Sequence, residues 1–167
     1  MPTLFRFLSP VGELTLTASA SALTGVYFPT SRHGPPERGS GNAERGGEAA
    51  QAIIAAARRQ LGEYFAGSRT TFDLPLDAEG TEFEKRVWAL LRAIPYGATT
   101  SYGALARRLG DPALSRAVGA ANGKNPIPII VPCHRVIGSK GELTGFGGGL
   151  DRKRWLLGHE GALLKLE

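Results

Sequence analysis

The 167-residue sequence predicts a mixed α/β fold of the α+β kind, with a small N-terminal antiparallel sheet-and-helix lobe packed on a C-terminal helical lobe that carries a helix-turn-helix. Three observations predict it. Apolar stretches of strand length crowd the first 28 residues. From residue 81 onward the apolar residues recur at helical spacing. Two short helical segments then meet across a tight glycine-containing turn near residue 110, the spacing of a helix-turn-helix. Domains mostly run to about 100–150 residues, so this chain has room for one domain or two small lobes.

Residues 3–8, 14–18 and 23–28 alternate or run apolar and are separated by Pro10-Val11-Gly12 and by a small polar stretch at 19–21, which predicts three antiparallel strands. Residues 29–47 are rich in Gly, Pro, Ser and charge without apolar periodicity, the composition of a mobile surface loop, and His33 within it receives no role. Ile53, Ile54, Ala57, Leu61 and Tyr64 recur at helical spacing and predict a helix over 49–66, stopped by Gly67. Residues 71–76 have the pattern of a further short strand and 77–80 that of a linker. The expected division is therefore an N-terminal lobe at 1–76 and a C-terminal domain at 81–167.

In the C-terminal domain Phe83, Val87, Leu90, Leu91 and Ile94 form one helical stripe, with Thr81 as its N-cap and Pro95 and Gly97 as its stop. A second short helix is expected over 101–109, a break at Gly110-Asp111-Pro112, and a third helix over 113–122 bearing Arg116. Residues 125–132 are apolar but contain Pro126, Pro128 and Pro132, which forbid both a regular helix and a central strand. A rigid buried loop follows, ending on Cys133. A Gly-rich loop at 141–149 then leads to a last helix over 150–159.

Charge and cysteine content narrow the function. The formal net charge is +5, and residues 101–155 hold nine cations against three anions, which suits a polyanion such as nucleic acid through phosphate neutralisation. A solvated basic face is the alternative. No stretch reaches the roughly 18 apolar residues of a membrane span, and the first ten residues lack the pattern of a signal peptide, so a cytoplasmic protein is expected. With one Cys, an internal disulfide and a multi-thiolate zinc site are excluded. Cys133 is then either packing or chemistry. His134 beside it, with His159 and Glu160 downstream, offers the partners that lower a thiol pKa from about 8.5 and make a nucleophile, a pattern that also fits a cysteine hydrolase.

The run Ile130-Val131-Pro132-Cys133-His134-Arg135-Val136-Ile137, with Gly123-Lys124-Asn125-Pro126 before it and Gly145-Phe146-Gly147-Gly148-Gly149 after it, resembles the O6-alkylguanine-DNA alkyltransferase family. The resemblance spans about residues 81–161, taking in Ile94-Pro95-Tyr96-Gly97, Ser101-Tyr102-Gly103 and Ser115-Arg116-Ala117-Val118-Gly119; the first eighty residues resemble the family only in layout. It implies stoichiometric transfer of a methyl or other alkyl group from O6 of guanine in duplex DNA, with O4 of thymine left open, to Cys133. His134 would take the thiol proton through a water, Glu160 would orient the imidazole, Asn125 would tie the loop, and Tyr102 would reach the guanine N3 edge. Arg116 would be a finger inserted through the minor groove as the base is turned out, with Ala117, Gly119, Ala120 and Ala121 allowing close approach, Ser115 also at the DNA, and Arg135 either in a structural ion pair or facing a phosphate. Val136, Phe146, Gly147 and Pro128 would line the pocket, the Cys133 and Val136 carbonyls accepting the exocyclic amine. Phe146 departs from the family's frequent tyrosine. The resemblance further implies a monomer without metal or cofactor. A non-catalytic lesion binder, a plain DNA-binding module and a cysteine hydrolase are the competing classes: the first lacks the acceptor thiol, the second gives no reason for a stiff loop ending in Cys-His, and the third gives none for the Arg116 helix.

Overall fold

Leu14, Leu16 and Ala18 alternate along the chain and are fully buried, so this stretch turns one face to a core. It belongs to β2 (Gly12–Ala18), the central strand of a three-stranded antiparallel sheet between β1 (Thr3–Ser9) and β3 (Leu23–Tyr27). The computed structural model describes residues 3–30 and 47–165. Gly12, at φ +106°, closes the hairpin opposite Ser9 in a backbone conformation that a Cβ disfavours. Helix α1 (Glu48–Phe65) packs on the sheet through Ala50, Ile54, Ala57, Leu61 and Tyr64. Each large aliphatic side chain so buried contributes about 1.5–3 kcal/mol. Of the loop expected at 29–47, residues 31–46 with His33 lie outside the described residues.

The strand expected over 71–76 does not form. Only Leu76 bridges to the sheet, in parallel with Leu23, through Leu23 N–H to Pro75 O at 2.8 Å and Asp77 N–H to Leu23 O at 2.9 Å. Two features prevent a longer ladder. Pro75 has no N–H to donate. The buried Gln60 of α1 already takes both backbone groups of Asp73, accepting from its N–H at 2.8 Å and donating to its carbonyl at 3.0 Å.

The chain divides into two compact units, Met1–Glu79 and Gly80–Glu167. The second unit begins with α2 (Glu82–Arg92), whose first turn is closed by a capping box: Thr81 Oγ1 accepts from Glu84 N–H and Glu84 Oε1 accepts from Thr81 N–H. Its Val87, Trp88 and Leu91 are buried. Strand β4 (Thr100–Ser101) leads directly into α3 (Tyr102–Arg108), capped by Ser101. The break at Asp111 starts a single 3-10 turn, Pro112–Leu114, and only then α4 (Ser115–Gly123), two residues later than expected because Asp111 Oδ1 caps the tighter turn on Ala113 N–H. Trp88 Nε1 donates to Ala121 O at 2.8 Å and so fixes the end of α4 to α2. Cys133–Arg135 forms another 3-10 turn, continued by β5 (Val136–Ile137), which pairs in parallel with β4. Helix α5 (Leu150–His159) ends at Glu160, and Gly161 at φ +77° turns the chain away. Among the described residues no helix is long and apolar enough to cross a membrane.

Candidate active site

Ile127, Pro128, Ile129, Ile130 and Val131 are all buried, as the triple-proline run requires. Ile129 holds φ +73°, the one positive value among described residues other than glycine, and for a β-branched residue that conformation stores about 1–3 kcal/mol of strain. The loop is held by side chains that substitute for a ladder. Asn125 Nδ2 donates to Val131 O at 2.8 Å and Asn125 Oδ1 accepts from Ile127 N–H at 3.0 Å. From α4, Asn122 Nδ2 reaches the Cys133 carbonyl at 3.4 Å.

Cys133 opens the 3-10 turn and is 5% exposed, while His134 is fully buried and Arg135 and Glu160 are each 6% exposed. His134 Nε2 donates to Glu160 Oε2 at 2.8 Å; its Nδ1 is buried and has no hydrogen-bond partner among the described residues. Burial lowers the His134 pKa, against the hydrogen bond and charge of Glu160, which favours the neutral ring, and a neutral ring donating from Nε2 carries its lone pair on Nδ1. The Glu160 carboxyl would be raised by burial, but His134 and Arg135 outweigh this and hold it well below the usual range.

The thiol differs from the expectation drawn from its neighbour in sequence. Burial pushes Cys133 up to about 11, with the Asn125 hydrogen bond and the Lys153 charge pulling the other way. At neutral pH the resting residue is therefore a thiol, and its proton must leave as the reaction proceeds. Tyr102, at the start of α3, donates its hydroxyl to Thr144 O at 3.3 Å, and its pKa is raised chiefly by burial. A Cβ on Gly119 would come within 3.8 Å of the Tyr102 ring, so α4 and Tyr102 lie against each other at that point.

Arg116 and Ala117 are exposed in the first turn of α4, Gly119 is half-buried, and Ser115 spends its hydroxyl on Pro112 O at 3.1 Å. Val136 is buried with Pro128, Phe146 is half-buried and Gly147 exposed. Arg135 does not face a phosphate. Its guanidinium is enclosed, with Nε and Nη2 on Glu160 at 2.8 and 3.0 Å and Nη1 on Ile94 O at 2.7 Å. No cluster of three or more His, Cys, Asp or Glu side chains among the described residues could hold a metal ion.

One compact unit thus holds a buried cysteine at the end of a strained loop, a buried His–Glu pair that begins at the next residue, and a helix with an exposed arginine. Residues 82–162 match the DNA binding domain of 6-O-methylguanine DNA methyltransferase, and residues 7–78 match its ribonuclease-like domain. The chain belongs to this methyltransferase family. It is 50% identical over 152 residues to the methylated-DNA–protein-cysteine methyltransferase of Mycolicibacterium paratuberculosis, covering 91% of this chain and 88% of the relative. The protein of that name from Methanosarcina acetivorans is 47% identical, covering 93% and 96%. Among solved structures, Mycobacterium tuberculosis OGT in complex with DNA superposes with a TM-score of 0.83 at 46% identity, covering 95% of this chain and 92% of that one.

Within this family framework, one buried cation of the site is not evident from composition. Lys153 counts there as part of the basic surface, yet it is fully buried and its Nζ donates to Thr144 O at 2.6 Å, the carbonyl that also accepts from Tyr102. Burial lowers its pKa to about 8, with Cys133 acting in the opposite direction. The signal is present in the spacing, since Lys153, Leu156, Leu157 and Glu160 follow the i, i+3, i+4, i+7 stripe that α5 turns inward.

Proposed function

We propose that this protein repairs DNA by direct reversal, moving a methyl or other alkyl group from O6 of guanine in duplex DNA to Cys133, once per chain. The observation that carries the reading is a buried thiol directly followed in sequence by a buried His134 whose Nε2 is engaged by Glu160 and whose Nδ1 has no partner among the described residues. In the reaction the Cys133 Sγ–carbon bond forms as the carbon–O6 bond breaks. The thiol proton passes to His134, through a water, and guanine regains a proton, so the products are a neutral base and a thioether. Tyr102 supplies hydrogen-bonding at the guanine N3 edge, and the Cys133 and Val136 carbonyls accept the exocyclic amine. The displacement requires no metal or cofactor, because the thiolate is itself the acceptor. The protein acts as a monomer.

O6 is out of reach while guanine is stacked, so the nucleotide turns out into the pocket at a cost of a few kcal/mol. α4 approaches from the minor groove, where Ala117 and Gly119 allow contact and Arg116 takes the place of the extruded base. Long polar side chains for major-groove reading are scarce on this helix. If the Arg116 finger offsets about 1.4–2.7 kcal/mol of extrusion, Arg116→Ala slows repair of methylated duplex by about 10- to 100-fold. Its reaction with free O6-benzylguanine, which needs no extrusion, stays within about twofold. Single-turnover rates on the two substrates check this; equal losses on both contradict the finger role. The repair reading itself is tested by intact-protein mass after incubation with an O6-methylguanine duplex. One added methyl, located on Cys133, supports it, whereas a lesion binder or a hydrolase leaves the chain unmodified.

A further inference from the structure

Glu160 is shared. Its Oε1 accepts from Arg135 Nε at 2.8 Å, and its Oε2 accepts from both His134 Nε2 at 2.8 Å and Arg135 Nη2 at 3.0 Å. The third nitrogen of the guanidinium is fixed on Ile94 O at 2.7 Å, just past the end of α2, and the group lies 5.8 Å from the centre of the Tyr96 ring. Arg135 therefore has a defined orientation that a surface arginine lacks, and it sets the plane of the carboxylate that His134 uses.

The consequence is electrostatic as well as geometric. His134 is faced by Glu160 and Lys153 from α5 and its C-cap, and by Arg135 from its own turn, while Tyr96 flanks Arg135 and Glu160. A buried carboxylate with no other partner would place its whole charge on His134 and favour the imidazolium. An imidazolium could not accept the Cys133 proton. With the guanidinium fork on the same carboxylate, the charge of Glu160 is already matched, and His134 is left hydrogen-bonded and oriented but uncharged.

We propose that Arg135 is a positioning residue for alkyl transfer: by holding both oxygens of Glu160 it keeps His134 in the neutral form, protonated on Nε2 and open on Nδ1, that accepts the Cys133 proton. The inference rests on the reading of His134 as the base for Cys133. A purely structural Arg135 would instead change the amount of folded protein and leave the pH dependence of the folded fraction alone.

The test is the single-turnover rate of Cys133 methylation at saturating O6-methylguanine duplex, followed from pH 5.5 to 9 in wild type, Arg135→Lys and Arg135→Gln. Gln keeps hydrogen-bonding capacity without charge, and its acidic limb is expected to move upward by about one pH unit or more, so that its loss is larger at pH 6 than at pH 8. Lys keeps the charge and restores most of the wild-type profile. An acidic limb in Arg135→Gln that coincides with wild type, or a loss that is the same at every pH, overturns the proposal. Should Arg135→Gln fail to fold, nitrogen NMR of the His134 ring in the wild-type protein decides: a neutral Nε2–H tautomer at pH 7 is expected, and an imidazolium or an Nδ1–H tautomer overturns it. Wild type that methylates Cys133 while the variants show no pH effect refutes only the role of Arg135; wild type that never methylates Cys133 refutes the repair reading on which it stands.

Discussion

Cys133→Ser is expected to abolish alkyl transfer while duplex binding stays within about threefold, a change of less than ~0.7 kcal/mol. The two outcomes separate because the two devices are separate. The acceptor lies at the end of the buried loop, and the side chains proposed to bind DNA are those exposed on α4, led by Arg116. Ser substitutes for Cys at nearly the same volume, so the 3-10 turn and its hydrogen bonds to Val131 and Pro132 can persist. A buried hydroxyl, however, is far weaker both as an acid and as a nucleophile than a thiol, and His134 cannot compensate. The checks are methyl transfer by intact mass and duplex affinity by titration. Residual transfer by the Ser variant contradicts the assignment of the acceptor, and a large loss of affinity contradicts the separation of acceptor from binding helix.

Glu160→Ala is expected to cost about 3–5 kcal/mol of stability, because it leaves the Arg135 guanidinium buried without its counter-charge and His134 Nε2 without an acceptor. Against a total of about 5–15 kcal/mol this is a large fraction, and it corresponds to a fall in Tm of roughly 6–20 °C for a chain of this size. The folded remainder should also react slowly, since the imidazole has lost the partner that orients it. The wild-type pH dependence carries the same signature in two windows. His134 has a folded pKa below its unfolded value, so its contribution is present above about 6.5 and is lost as pH falls through the folded pKa. Glu160 is held well below its unfolded value, so its contribution is present above about 4.3 and is lost only in stronger acid. Denaturation midpoints measured across pH check both. Glu160→Gln should lack the lower window, and an unchanged acid limb in that variant would contradict the ion-pair account.

The sequence was most legible where local chemistry and tertiary packing agree. Thr81 announces the start of α2, Pro95 and Gly97 its end, and the alternation of Leu14, Leu16 and Ala18 with polar residues marks the buried face of β2. The stiff loop before Cys133 was legible from its three prolines. What stayed hidden depends on long-range placement. The two-residue ladder of β4 and β5 carries no periodic signal, yet it sets Tyr102 beside the Cys133 turn. The extended segment at 71–76 carried strand composition, but its backbone groups were claimed by Gln60 thirteen residues earlier. Lys153 was counted as surface charge, and Arg135 was left between a structural ion pair and a phosphate contact, because composition cannot distinguish a solvated cation from one enclosed beside a carboxylate or a carbonyl. The burial around Cys133, which opposes ionisation, was hidden for a related reason, since a histidine next in sequence says nothing about it.

Each chain is expected to act once, and counting products shows whether it does. A thioether on Cys133 is not displaced by another nucleophile under mild conditions, and this chain has no second cysteine to receive the alkyl group. Methylated duplex in large excess is mixed with a known amount of folded protein, and repaired guanine and methylated chain are both counted to the plateau. The expected result is one guanine restored per active chain, with one methyl on Cys133 and no further repair on longer incubation. More than one restored guanine per chain, or repair without a methyl on Cys133, would contradict the account.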